Sequence, residues 1–129
     1  MIVADSSAVI ELLLAQPRAD AIRSALSANT ELHVPAHFHL EVLSAVRRYS
    51  LRGTLDDLEV TEALETLAEL RALIYPIREL MWPIWALRFN LRTYDAAYLA
   101  LARWLDVGLI TLDAALADAA ERDGRLVPV

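Results

Sequence analysis

Apolar residues along this chain fall into short continuous runs separated by longer stretches of helical spacing. Ile2, Val3 and Ala4 form an apolar run that stops at Asp5, which predicts a buried strand over Met1 to Ala4. Ser6 or Ser7 is placed to cap a helix over Ala8 to Leu14, and Pro17 to open a second helix through Ala28. Leu32 to Val34 reads as a strand before Pro35. Phe38, Val42, Ala45, Val46 and Tyr49 then recur at helical spacing and stop near Gly53. Thr54 followed by Asp57 predicts a capping box at the start of a helix through Leu70. Leu73 to Tyr75 is a third strand. Residues 77–91 are apolar, with two Trp and an interior Pro83, which predicts a broken helix. Thr93 caps a helix over Tyr94 to Asp106. Leu109 to Leu112 is a strand, Ala114 to Arg122 a helix, and Leu126 to Val129 a last strand.

Strands alternating with helices predict an α/β fold around a small, mainly parallel sheet. A length of 129 residues fits one domain over 1–129, and no linker, low-complexity tract or repeat divides it. In such sheets, sites form at the carboxyl ends of strands. Asp5 and Asp113 both stand at such ends, far apart in sequence.

Composition narrows the chemistry. With no Cys, disulfide scaffolds, thiolate nucleophiles and Cys-based zinc sites are excluded. All 12 basic residues are Arg, so a phosphate-binding P-loop and Schiff-base catalysis lack their Lys. No apolar run approaches the ~18 residues a membrane span needs, and the N-terminus has no basic stretch of a signal peptide. A cytoplasmic protein with no membrane contact is the expectation. The net charge of −6 argues against nucleic-acid binding unless the acidic residues gather around metal ions. A hydrophobic content of 57% points to surface covered by another chain.

Four carboxylates stand where solubility does not explain them. Asp5 ends the first strand, Glu41 lies beside a core stripe, Asp95 sits in Tyr-Asp-Ala-Ala-Tyr-Leu-Ala-Leu-Ala, and Asp113 ends Leu-Ile-Thr-Leu-Asp. Each has a structural explanation alone: Asp5 and Asp113 as helix caps, Asp95 as a partner of the helix dipole, Glu41 as a solvated helix residue. Together they predict one site. Four such groups repel one another, and hard divalent cations with oxygen ligands, Mg²⁺ or Mn²⁺, relieve that repulsion. Carboxylate-held ions of this type hydrolyse phosphodiesters by in-line attack of water.

The run Asp5-Ser6-Ser7-Ala8, then Glu41, then residues 94–102, then Leu109-Ile110-Thr111-Leu112-Asp113, resembles the PIN-domain ribonucleases, in particular the VapC toxins of toxin–antitoxin pairs. The resemblance covers the whole chain. It implies a three-layer α/β/α sandwich and a Mg²⁺- or Mn²⁺-dependent endoribonuclease acting on tRNA or ribosomal RNA. It also implies a cognate VapB-type antitoxin and a homodimer, with higher toxin–antitoxin hetero-oligomers as an extension. It assigns Asp5, Glu41, Asp95 and Asp113 to the metal and the reaction. Ser7 and Thr111 become hydroxyls that orient carboxylates or water. Ser6 stands where many relatives have Thr, and Ala114 and Ala115 where many have a basic residue. RNA must then be gripped by Arg, and Arg48, Arg52, Arg88 and Arg92 are the candidates, with a solvated face as the plainer explanation.

Other features have plainer explanations. His33, His37 and His39 lack a His-Glu-x-x-His pattern and read as polar or capping residues, although His37 lies four residues before Glu41. Asp118 reads as surface. Trp82, Trp85 and Phe89, with Leu80 and Leu87, fit core, a dimer seam or an antitoxin groove. Two rival functions remain: a catalytically degenerate PIN-like RNA-binding or scaffold module, and a Mg²⁺-dependent phosphoaspartyl protein, the latter disfavoured by the absence of Lys.

Overall fold

In the computed structural model, which describes residues 1–129, β1 (Ile2–Ala4), β2 (Leu32–Pro35), β3 (Ala72–Tyr75) and β4 (Gly108–Ile110) form one parallel sheet in the order β3-β2-β1-β4. Val3 pairs with His33 on one side and Leu109 on the other. Being central, β1 is buried on both faces, which is why its run is continuous rather than alternating.

Six helices connect the strands, α1 (Ser6–Leu13), α2 (Ala19–Ser27), α3 (Phe38–Leu51), α4 (Asp57–Glu69), α5 (Ile77–Ala86) and α6 (Thr93–Leu105), and α7 (Ala114–Arg122) follows β4. The first two crossovers step from β1 to β2 to β3, and the third returns past β1 to β4. Right-handed crossovers place helices of opposite stepping direction on opposite faces. Accordingly α1 packs on α2 and α3, whereas α5 packs on α6, and α6 lies on β1, β2 and β4. Residues 96–102 of α6 are buried without interruption, and four of those seven are Ala, which lets the helix approach the sheet closely. A single apolar cluster of 28 buried residues runs through both layers.

Several local expectations are corrected. Neither Ser6 nor Ser7 caps α1; the cap is Asp5, whose carboxylate accepts from the Ala8 N–H at 3.1 Å. The capping box of α4 is Asp56 with Glu59, not Thr54 with Asp57. The longer Glu side chain reaches back to the Asp56 N–H at 3.2 Å. Thr93 is the first residue of α6, whose cap is Arg92. Pro17 lies in a turn, and α2 begins at Ala19. Pro83 lies inside α5 without breaking it, on an exposed face of the helix. Residues 126–129 form no strand, only one parallel bridge from Leu126 to Leu109.

The apolar stretch after β3 divides into two stripes. Leu80, Ile84, Leu87 and Leu91 enter the core. Trp82 and Phe89, each 82% exposed, and Trp85 do not. Their rings are therefore not core. No helix is long and apolar enough to cross a membrane.

The reassigned cap gives a direct test. Asp56→Ala removes the side chain that accepts from Glu59 N–H at 2.8 Å, and should lower stability to urea unfolding by about 1 kcal/mol. Thr54→Ala should change it by less than about 0.5 kcal/mol.

Candidate active site at the sheet switch point

Strand order reverses direction between β1 and β4, so the crevice beyond their carboxyl ends is the place where an open α/β sheet takes a ligand. A cleft of about 490 Å³ lies there. Asp5, Glu41, Asp95 and Asp113 all line it, each delivered by a different element: the end of β1, the first turn of α3, the first turn of α6 and the cap of α7. Residues separated by more than a hundred positions thus share one wall.

Asp5 is the buried member, at 3% exposure. One carboxylate oxygen accepts from Ser7 Oγ at 2.6 Å and the other from Thr111 Oγ1 at 2.8 Å. Ser7 Oγ in turn accepts from the Leu112 N–H at 2.9 Å, and Thr111 Oγ1 from the Asp113 N–H at 3.1 Å. The two hydroxyls singled out in the sequence therefore tie α1 to the loop after β4 through the Asp5 carboxylate. Burial pushes the Asp5 carboxyl up to about 6 despite these bonds, and the charge of Glu41 adds to the rise.

Glu41 is held differently. Tyr98 donates its hydroxyl to Glu41 Oε1 at 2.5 Å, and His37 Nε2 lies 3.3 Å from the same oxygen. Burial raises the Glu41 carboxyl, but the His37 and Tyr98 contacts outweigh it and leave the group below its ordinary range. Burial and the neighbouring Glu41 push the Tyr98 phenol far up, so it remains a donor. His37 Nε2 also donates to the Tyr94 carbonyl at 3.0 Å, and its ring packs between Tyr94 and Tyr98. His37 thus belongs to the site, as its spacing from Glu41 allowed.

Asp95 and Asp113 face each other across Arg92. Arg92 Nε donates to Asp95 Oδ2 at 3.1 Å, and its Nη2 lies 3.8 Å from Asp113 Oδ2. Burial raises the Asp95 carboxyl, Arg92 opposes the rise, and Asp113 and Glu41 reinforce it. Asp113 also caps α7, accepting from the Leu116 N–H at 2.9 Å. Of the other candidate arginines, Arg48 lines the cleft. Arg52 sits at the end of α3 outside the lining. Arg88 stacks on Phe89 and Trp85, its guanidinium 4.2 and 4.9 Å from the ring centres. Asp118 is exposed and outside the cleft. His33 is buried in β2 beside the Tyr75 hydroxyl at 2.8 Å, and His39 packs against Phe38.

Tyr98 is the site residue that sequence reasoning missed. Its signal was position: three residues after Asp95 on one helix, it projects from the same face. No three His, Asp or Glu side chains form a ready-made ion-holding group. The donor chemistry nevertheless fits a hard cation. All four groups offer carboxylate oxygen, Glu41 adds to the charging cost of Asp5, Asp113 and Glu41 add to that of Asp95, and one positive group, Arg92, already stands between two of them.

Comparison with known proteins gives the family and the fold. The PIN domain family model matches residues 2–122. Ribonuclease VapC9 of Mycobacterium tuberculosis is 39% identical over 118 residues, covering 92% of this chain and 90% of that one. Ribonuclease VapC12 of the same species is 37% identical, covering 91% and 90%. Among solved structures, a Pyrobaculum aerophilum protein superposes with a TM-score of 0.70 at 20% identity, covering 93% of this chain and 79% of that one. The M. tuberculosis toxin VapC20, which cleaves the sarcin–ricin loop, gives a TM-score of 0.68 at 12% identity, covering 92% and 95%. These two likenesses concern the fold.

The raised Asp5 carboxyl has a measurable thermodynamic sign. Because its folded value lies above its unfolded one, its favourable contribution is complete at pH below about 4 and is lost as pH rises through about 6. Between pH 4 and pH 7.5 in EDTA, the stability difference between Asp5→Asn and the parent should therefore move in the variant's favour by about 2–3 kcal/mol, whatever offset the loss of one acceptor oxygen adds at both pH values. Urea unfolding across that range tests this; a difference between the two proteins that does not change with pH contradicts it.

Proposed function

The chain belongs to the PIN-domain family and, within it, to the VapC ribonucleases, and from that premise we propose that it is a metal-dependent endoribonuclease toxin, inhibited by a cognate VapB-type antitoxin. The observation that carries this reading is the convergence of Asp5, Glu41, Asp95 and Asp113 on one cleft at the switch point of the sheet. Asp5, Asp95 and Asp113 would hold a Mg²⁺ or Mn²⁺ ion, and Glu41 would complete the set of carboxylate ligands or help to hold a second ion. When bound, such an ion lowers the pKa of water and offsets the charge that builds on the phosphoryl oxygens. The reaction is hydrolysis of an RNA phosphodiester by in-line attack of water, on tRNA or ribosomal RNA.

The chain's own groups prepare that chemistry. Ser7 and Thr111 fix the Asp5 carboxylate from both sides, so it enters the cleft in one orientation. Tyr98 and His37 do the same for Glu41. Arg48 and Arg92, the two candidate arginines that line the cleft, offer cations to the phosphate backbone. The exposed apolar face of α5, with Trp82 and Trp85 beside Met81, supports a homodimer or toxin–antitoxin assembly, because a patch of that kind is uncommon on a free surface.

The alternative is a PIN-like scaffold without catalysis. The two readings separate in one assay. Purified protein, freed of partner, should cut total cellular RNA into discrete fragments in Mg²⁺ or Mn²⁺ and not in EDTA. Asp95→Asn should lower that rate by about 100-fold or more while leaving the fold intact by circular dichroism. Absence of cleavage in the presence of bound metal and ribosomal and transfer RNA favours the scaffold.

A further inference from the structure

Arg92 is the cation placed closest to the acidic wall, and the sequence puts it there by two independent means. It is the cap residue of α6, so its backbone is fixed by the helix that carries Asp95 three positions later. Its guanidinium then spans two elements, bonding Asp95 Oδ2 at 3.1 Å through Nε and approaching Asp113 Oδ2 at 3.8 Å through Nη2. The two carboxylates are mostly shielded, at 15% and 29% side-chain exposure, whereas Arg92 is 81% exposed. The acids are thus fixed in the wall, and the cation lies over them from the solvent side. Arg48 lines the same cleft but bonds to neither acid.

A guanidinium and a divalent ion seek the same oxygens, and Asp95 Oδ2 cannot serve both at full strength. We propose that Arg92 is a built-in counter-ion that competes with the divalent cation for Asp95 and Asp113. It holds the two acids in register and must release them when an ion is taken up. Release leaves a long, exposed cation at the cleft mouth, where RNA phosphate is its next partner, so uptake of the ion and grip on the substrate are linked. This inference rests on the metal-dependent reading above. It assigns Arg92 a positioning and gating role distinct from phosphate contact alone.

The test is Mn²⁺ affinity without RNA, measured by the electron paramagnetic resonance of free Mn²⁺. Parent, Arg92→Ala and Arg48→Ala are compared. Arg92→Ala should bind Mn²⁺ about three- to fivefold more tightly than the parent, the scale of a partly exposed ion pair removed. Arg48→Ala, with the same change in net charge, should gain less than about twofold. In the parent, the Arg92 Nε–H resonance in a ¹⁵N spectrum should shift on titration with Mg²⁺. Equal gains for both variants would mean only bulk charge is at work and would overturn the proposal, as would an unchanged or weaker affinity in Arg92→Ala. If none of the three proteins bound Mn²⁺, the metal-dependent reading itself would fall. Because Arg92 is exposed, its replacement leaves the core untouched.

Discussion

The Asp5 carboxylate holds the two halves of the site together. It ends the central strand, caps α1, and receives one hydroxyl from its own helix and another from the loop after β4. Burying a charged group at 3% exposure is costly, and the raised carboxyl measures that cost. The hydrogen bonds offset part of it and convert the rest into geometry. Asp113 follows Thr111 by two residues, and its N–H bonds the same hydroxyl that donates to Asp5, so the orientation of one acid fixes the backbone of the other.

Two further acids are set by helices rather than strands. Glu41 depends on Tyr98, and therefore on the packing of α6 against the sheet. Asp95 depends on Arg92 one turn earlier. The arrangement leaves one carboxyl pushed up by burial and another pulled down by its donors, within a single cleft. Environment rather than residue type separates them.

Much of this was legible in the sequence, and the exceptions have physical reasons. Element order, the parallel sheet and the four acids follow from apolar runs ending in Asp and from helical stripes. Caps were harder. Asp5, Ser6 and Ser7 are consecutive cap formers, and only the structure shows that Asp5 takes the role while Ser7 braces it. Thr54 and Asp56 both precede an acid by three, and side-chain length decides between them. The stripe Trp82, Trp85, Phe89 has the same helical period as Leu80, Ile84, Leu87, Leu91, so periodicity alone does not say which faces inward. Tyr98 lay inside a run that reads as core, and it is core; only its hydroxyl reaches Glu41. Arg92 was visible as a cation before Asp95, but its reach to Asp113 depends on how α6 and β4 meet.

The bond between Thr111 and Asp5 spans 106 positions of the chain. Contacts of such separation form only after both ends are present and the intervening segments have ordered. A ribosome delivers the chain from its N-terminus, so Asp5, Glu41 and Asp95 emerge well before Thr111 and Asp113. Until residue 113 has been added, the polypeptide lacks the fourth acid, and until residue 111 it lacks the Thr111 brace on Asp5. The four acids therefore come to share one wall only near the end of synthesis, when the last strand and the loop after it have joined the sheet.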